Sequence, residues 1–377
     1  MGFSATNAPP VSAALPRHAY VDVLRAVACL AVVAYHLSLY WLGAWHAGFA
    51  ATAARASVVS RAFIVPSQLG FLGVSLFLVL SGFCLQMSVR PGAPLGVGRF
   101  FSRRAVRTLP AYYASIAIVS LLSLAPSLAH MTLRPVRARD VWSHVLMIHN
   151  LIPDTVWTIN GVYWTLALEW QLYLVFPLAV VALRRLGARW FLLASLAVSL
   201  GWYGALRAHP TTAALTAEPY AIVYESVPGR WFEFASGMVA AELVRRGARM
   251  SRPLLSLVAL AWIPAATWVH IVDVWAFPFD RAVCGASFGC LLCLAATLPS
   301  LSTSLVSRAL AWIGGLSYSL YLVHQPLLVA LSPLALARPI DAAVVGCVVV
   351  GVPLSVAVAW VFFMIFERPV LAFLRTR

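Results

Sequence analysis

The chain reads as long apolar runs separated by short stretches rich in arginine, glycine and proline. Ten runs are long enough to be considered as bilayer-crossing helices, which need roughly 20 apolar residues. They lie at about 20–41, 68–88, 110–129, 162–183, 190–206, 230–244, 254–272, 282–298, 309–331 and 342–366. The sixth is short and carries Glu233. A further apolar run at 141–152 is too short to span and reads as an interfacial or re-entrant helix. The expected fold is therefore all-α: a polytopic integral membrane protein of about ten transmembrane helices, one domain over 1–377, with residues 1–19 as a cytoplasmic tail.

Composition agrees. Hydrophobic residues make up 62% of the chain and charged ones 10%, against roughly 25% charged in soluble proteins. The first nineteen residues have no apolar core of their own, so no cleavable signal is expected and the first span should direct insertion. The net charge of +15 does not indicate nucleic acid, because the positive residues, all of them arginine, punctuate the loops. The loops after the second, fourth, sixth and eighth runs, together with both tails, hold the larger share. The positive-inside rule then puts both termini in the cytoplasm and the loop at 207–228 outside. The six cysteines lie in apolar segments, and Cys290 and Cys293 read as packing residues. Neither a disulfide nor a metal site is expected.

The departures from this apolar pattern carry the chemistry. The first run, "YVDVLRAVACLAVVAYHLSLYW", holds Asp22, Arg25 and His36, and ionisable groups at membrane depth are costly and usually functional. His36 follows Arg25 by 11 residues, which returns it to within roughly 20° of the same helix face. Along the same geometry His36, Glu169 and His324 come to one level, roughly 8–10 Å below the outer ends of their runs. Histidine is the usual proton acceptor near neutral pH. Glu169 could orient His36 or stabilise its cation, whereas Asp22 is about four turns away. His324 has Tyr321 and Gln325 as nearby partners and could equally be a structural interhelical hydrogen bond. In "GRFFSRRAVRTLPAYY", Arg104 and Arg107 sit three residues apart on one side of a helix, where two guanidinium forks suit phosphates. Simple topological anchoring by these arginines is the plainer reading.

Taken together these stretches resemble the acyltransferase family 3 membrane proteins. The matching segments are "DVLRAVACLAVVAYH", "GFLGVSLFLVLSGFCL", "RRAVRTLPAYY", "YWTLALEWQLYLVFP", "GRWFEFASGM" and "WIGGLSYSLYLVHQPLL", in that order. The resemblance implies acyl transfer, usually of acetyl, from cytoplasmic acyl-coenzyme A to a hydroxyl of a sugar or related acceptor. It implies His36 as the catalytic histidine, Asp22 and Arg25 as its partners, Arg104 and Arg107 at the acyl donor, and Glu169 as the acidic position of a W-S/T-L-x-x-E pattern. Ser81, Arg230, Glu233, Tyr321 and His324 are the positions expected to meet the acceptor. Ser81 as an acyl-carrying nucleophile is disfavoured because nothing in the sequence places a base beside it, so direct transfer in a ternary complex is preferred. Acyl-coenzyme A, with acetyl the favoured acyl group, is the expected donor, and an exported or surface glycan the expected acceptor. Two departures from the family pattern are expected: no added extracytoplasmic hydrolase-like domain, and an Ala-rich first outer loop. The alternative from another class is a transporter or flippase of lipid-linked sugars, but the chain shows no internal repeat of the kind many transporters carry.

Overall fold

The computed structural model describes residues 19–132, 134–208, 225–248, 251–263, 277–298 and 304–375. The expected cytoplasmic tail, residues 209–224 of the expected outer loop and the second half of the seventh expected span lie outside them. Among the described residues every regular element is helical. In chain order the α-helices are α1 (Ala19–Tyr40), α2 (Ala44–Ala47), α3 (Phe49–Ala54), α4 (Val58–Ser67), α5 (Leu72–Ser88), α6 (Val97–Leu122), α7 (Ala138–Val145) and α8 (Trp164–Ala208). They continue as α9 (Val227–Arg245), α10 (Arg252–Leu260), α11 (Phe277–Ala295), α12 (Leu305–Gly315), α13 (Ser317–Leu336), α14 (Ile340–Gly346), α15 (Val352–Phe362) and α16 (Arg368–Arg375).

Six stretches of the described residues are long and apolar enough to cross a membrane: Ala19–Tyr40, Val58–Ser88, Val97–Leu122, Trp164–Leu206, Ser317–Leu336 and Ile340–Leu374. Ten are not established. One of the six does double duty. At 1.5 Å per residue a straight α8 would be more than twice as long as the roughly 30 Å hydrocarbon core. Its backbone breaks at Gly187 (φ 76°, ψ 165°), a conformation that favours glycine. Phe176 before the break packs edge-on against Phe234 of α9, and Ser195 after it accepts a hydrogen bond from the Trp231 indole of α9 at 3.0 Å. Two arms that pack on neighbouring positions of one helix form a hairpin, matching the fourth and fifth expected runs.

The ninth expected run is not one helix. It divides at Leu316 into α12 and α13. A β-carbon at Gly314 would lie 1.8 Å from the Asp22 carbonyl oxygen, so the end of α12 rests directly on the backbone of α1. The run at 141–152 is likewise broken, into the eight-residue α7 and a 3₁₀ turn at His149–Leu151, and does not span. Arg134 pins this segment, donating to both Asp140 carboxylate oxygens at 2.6 and 2.7 Å. Burial opposes the Asp140 charge, but the Arg134 fork and the Arg137 backbone N–H hold its carboxyl below the usual carboxylate range.

Helices α5 and α9 cross with their backbones in contact. A β-carbon at Gly82 would fall 2.0 Å from the Phe234 carbonyl oxygen, and one at Gly237 would fall 1.9 Å from that of Val79. Small residues let helix backbones touch in this way inside membranes. Gly237→Ala is therefore expected to strip most of the monodisperse protein from size-exclusion profiles. Gly98→Ala, where a β-carbon meets nothing within 4 Å, should leave the profile unchanged.

Candidate functional site

Two cavities lie beside α1, one toward each of its ends. The first, of about 150 Å³, is lined by Arg25, Ser81, Arg104, Arg107, Glu169 and Glu367 among others. The second, of about 400 Å³, is lined by His36, Tyr40, Trp45, Trp157, Trp164 and Gln325 among others. Val74 and Tyr321 belong to the walls of both. The Tyr321 hydroxyl is held in place, accepting from Thr165 Oγ1 at 2.7 Å.

The first cavity gathers three arginines and two carboxylates. Arg25 pairs with Asp22 at 3.2 Å, as i and i+3 partners on one helix face should, and turns its other nitrogen to the Cys84 sulfur at 3.2 Å. Arg104 lies 5.9 Å from the ring centres of both Phe100 and Tyr173, a cation–π arrangement that fixes the fork while leaving its N–H groups available. Glu169 accepts from Ser81 Oγ at 2.7 Å and from the Tyr173 hydroxyl at 2.6 Å. The expectation that nothing places a base beside Ser81 is therefore corrected: the helix register of α8 brings a carboxylate onto it. Glu367 enters by a device the sequence does not announce. The π-turn Phe363–Glu367 widens the last helix and places the Glu367 carboxylate on Ser319 Oγ at 2.7 Å, in the cavity wall. Such turns often occur at functional sites.

The second cavity holds the histidines. His36 Nδ1 lies 2.9 Å from the Val32 carbonyl. A carbonyl only accepts, so Nδ1 carries the proton and Nε2 is left with its lone pair. That is the tautomer a general base needs. His324 uses Nδ1 in the same way, toward the Leu320 and Tyr321 carbonyls at 3.0 Å each. The two imidazoles meet edge to face with centroids 5.1 Å apart, so their shared depth is realised. The expected pairing of His36 with Glu169 is not. Glu169 lines the arginine cavity and His36 the aromatic one, and the Glu169 partners are Ser81 and Tyr173. Counting from the ends of the runs misses both level and direction: Glu169 lines the cavity at the Arg25 end, where α8 turns it toward Ser81 of α5.

Arg230 and Glu233, expected to meet the acceptor, line neither cavity. They are hydrogen-bonded to each other, buried to within 1%. Arg230 and Arg281 both reach Glu225 and the Ser75 hydroxyl. Removing one member of such a network strands its partner, at about 3–5 kcal/mol. Arg230→Ala is thus expected to cut the yield of folded protein, with the surviving fraction keeping its acceptor KM. A raised acceptor KM at normal yield would instead return Arg230 to the binding machinery.

Comparison with known proteins supplies the rest. The chain is 28% identical to the acyltransferase MdmB of Streptomyces mycarofaciens over 282 residues, covering 71% of this chain and 70% of that protein. It is 24% identical to the peptidoglycan O-acetyltransferase OatA of Listeria monocytogenes over 344 residues, 83% of this chain but only 50% of that longer protein. No solved structure matches. A family model described as an acyltransferase domain matches residues 18–364, which takes in α1 and every residue named in the two cavity walls except Glu367. The chain belongs to acyltransferase family 3 and is a membrane-embedded O-acyltransferase.

Proposed function

We propose that the arginine cavity receives acyl-coenzyme A, with acetyl as the favoured acyl group, and that the His36 cavity receives a hydroxyl of an exported or surface glycan. The observation that carries this reading is the common wall at Tyr321. A cationic cavity and an aromatic cavity with a free imidazole nitrogen meet there, so a thioester entering from one side faces a hydroxyl entering from the other. Arg104, Arg107 and Arg25 hold the coenzyme A phosphates through charge-assisted hydrogen bonds. Asp22 keeps Arg25 extended along the face of α1.

In the reaction, His36 Nε2 takes the proton of the acceptor hydroxyl as its oxygen attacks the thioester carbonyl carbon. The carbon–sulfur bond breaks, and the departing thiolate takes the proton back from His36, giving the ester and free coenzyme A. His324 packs against the imidazole edge and fixes its plane. Glu169 is a positioning residue in the donor cavity, where it holds Ser81 and Tyr173. Ser81 lines only that cavity, which favours direct transfer over an acyl-Ser81 relay. The orientation in keeping with these roles puts the Arg104 end and both termini at the cytoplasmic face of the inner membrane.

Mass spectrometry of surface glycans from cells with and without the chain tests the reading. A gain of one acetyl group per modified sugar is the expected result. Identical spectra would reject the glycan acceptor, and a succinyl-sized gain would replace the donor.

A further inference from the structure

The second cavity holds more polar chemistry than a base requires. Gln325 is 9% exposed, and its Nε2 donates to the Tyr40 hydroxyl at 2.6 Å. Its Oε1 is buried and has no hydrogen-bond partner among the described residues. The Trp157 indole N–H, in the same cavity wall, is buried and without a partner in the same sense. A buried acceptor and a buried donor that go unmet are costly, typically one to two orders of magnitude each in an equilibrium, and are rare in folded proteins. One calls for a donor and the other for an acceptor, and a hydroxyl, which can act as either, suits both.

The backbone is arranged to keep this amide where it is. A β-carbon at Gly161 would lie 2.8 Å from Gln325 Nε2 and 3.3 Å from Oε1, so only glycine leaves the amide its place. Tyr40 stacks on His36 with ring centres 5.9 Å apart, one helical turn along α1. The amide is thus bonded to the hydroxyl of the very ring that stacks on the imidazole, a side chain's length from it. A single sugar ring can offer one hydroxyl to His36 and another to Gln325 across that span. The indoles of Trp45, Trp157 and Trp164 supply flat apolar faces for its C–H side.

We infer that Gln325 is the specificity-determining residue of the acceptor cavity, reading with Trp157 a second hydroxyl on the same ring as the one that is acylated. This rests on the assignment of the His36 cavity to the acceptor. It narrows that acceptor to a polyhydroxylated ring and excludes simple alcohols.

The test uses the full chain in liposomes with acetyl-coenzyme A. Methyl hexopyranosides and their mono-deoxy counterparts serve as acceptor probes. For wild type, removal of one particular non-acylated hydroxyl should raise acceptor KM about tenfold or more, since it leaves the buried amide unmet. Gln325→Leu should accept the full and the deoxy glycoside equally, with donor KM unchanged. Gln325→Glu, which keeps an acceptor oxygen, should retain most of the preference. Gly161→Ala, which displaces the amide, should lose it. Gln325→Leu retaining the wild-type preference would overturn the role of Gln325 and leave the acceptor cavity standing. Glycosides that are not acylated by a chain showing His36-dependent acetyl-coenzyme A hydrolysis would overturn the sugar-ring class. Full transfer by His36→Ala would overturn the cavity assignment itself.

Discussion

His36→Ala is expected to lower acyl transfer by about 10²–10⁴, the range that removal of a general base costs. The protein should still insert, purify as a monodisperse species and bind acyl-coenzyme A. The expectation follows from the way α1 holds this residue. Its Nδ1 is committed to the Val32 carbonyl, so Nε2 is the only ring nitrogen able to take a proton, and the ring lines the aromatic cavity. Among the described residues no hydrogen bond runs through Nε2, and truncation gives up, besides the base, only the Val32 carbonyl contact and the ring contacts to its neighbours Tyr35, Tyr40 and His324. Transfer assayed with saturating donor and acceptor isolates the chemical step. His36→Gln, which keeps a polar side chain of similar reach but cannot cycle a proton, should be as slow as alanine.

The second large effect belongs to the arginines. Arg104→Ala and Arg107→Ala each remove a charge-assisted phosphate contact worth about 1.5–3 kcal/mol, or roughly tenfold to a hundredfold in donor affinity. Arg104 should be the more sensitive to lysine replacement. Its guanidinium faces the rings of Phe100 and Tyr173, and a lysine ammonium lacks the plane that stacks there. The effect should appear in donor KM and in equilibrium binding of acyl-coenzyme A, with kcat at saturating donor near that of wild type. Donor affinity unchanged in both alanine variants would leave these residues as topological anchors.

Much of this site is written in helical periodicity. Asp22, Arg25 and His36 fall on one stripe of an apolar helix, and the structure keeps them there. His36 and His324 are brought to one level by their distance from the ends of their runs, and their rings touch. The hairpin within α8 is visible as two apolar runs parted by "RRLGAR", because glycine is the residue that tolerates the break at position 187.

What periodicity lacks is direction. Counted from the end of its run Glu169 falls at the level of His36, but in the fold it lies at the Arg25 end and meets Ser81, which no spacing within one helix can disclose. Glu367 escapes notice for a related reason. A π-turn adds a residue to the helical repeat, so a wheel drawn at 3.6 residues per turn puts this carboxylate on another face. The break at Leu316 is hidden inside "WIGGLSYS", where the apolar character is continuous and only the contact of Gly314 with Asp22 ends the helix. Arg230 and Glu233 look like ligands for a substrate because they are charged at membrane depth. Their mutual pair is an i,i+3 contact on one helix, but the links to Ser75 and, through Glu225, to Arg281 are legible only once those segments are packed together.

The division of labour between the two cavities is the central claim, and one paired measurement addresses it most directly. Equilibrium binding of acetyl-coenzyme A and acetyl transfer under saturating substrates are recorded on the same preparations of wild type, His36→Ala and Arg104→Ala/Arg107→Ala. The predicted result is a double dissociation: His36→Ala binds donor as wild type does and transfers almost none, while the arginine variant binds donor weakly and recovers its transfer rate when donor is raised. Loss of both properties together in both properly folded variants, or transfer near the wild-type rate in His36→Ala, would contradict it.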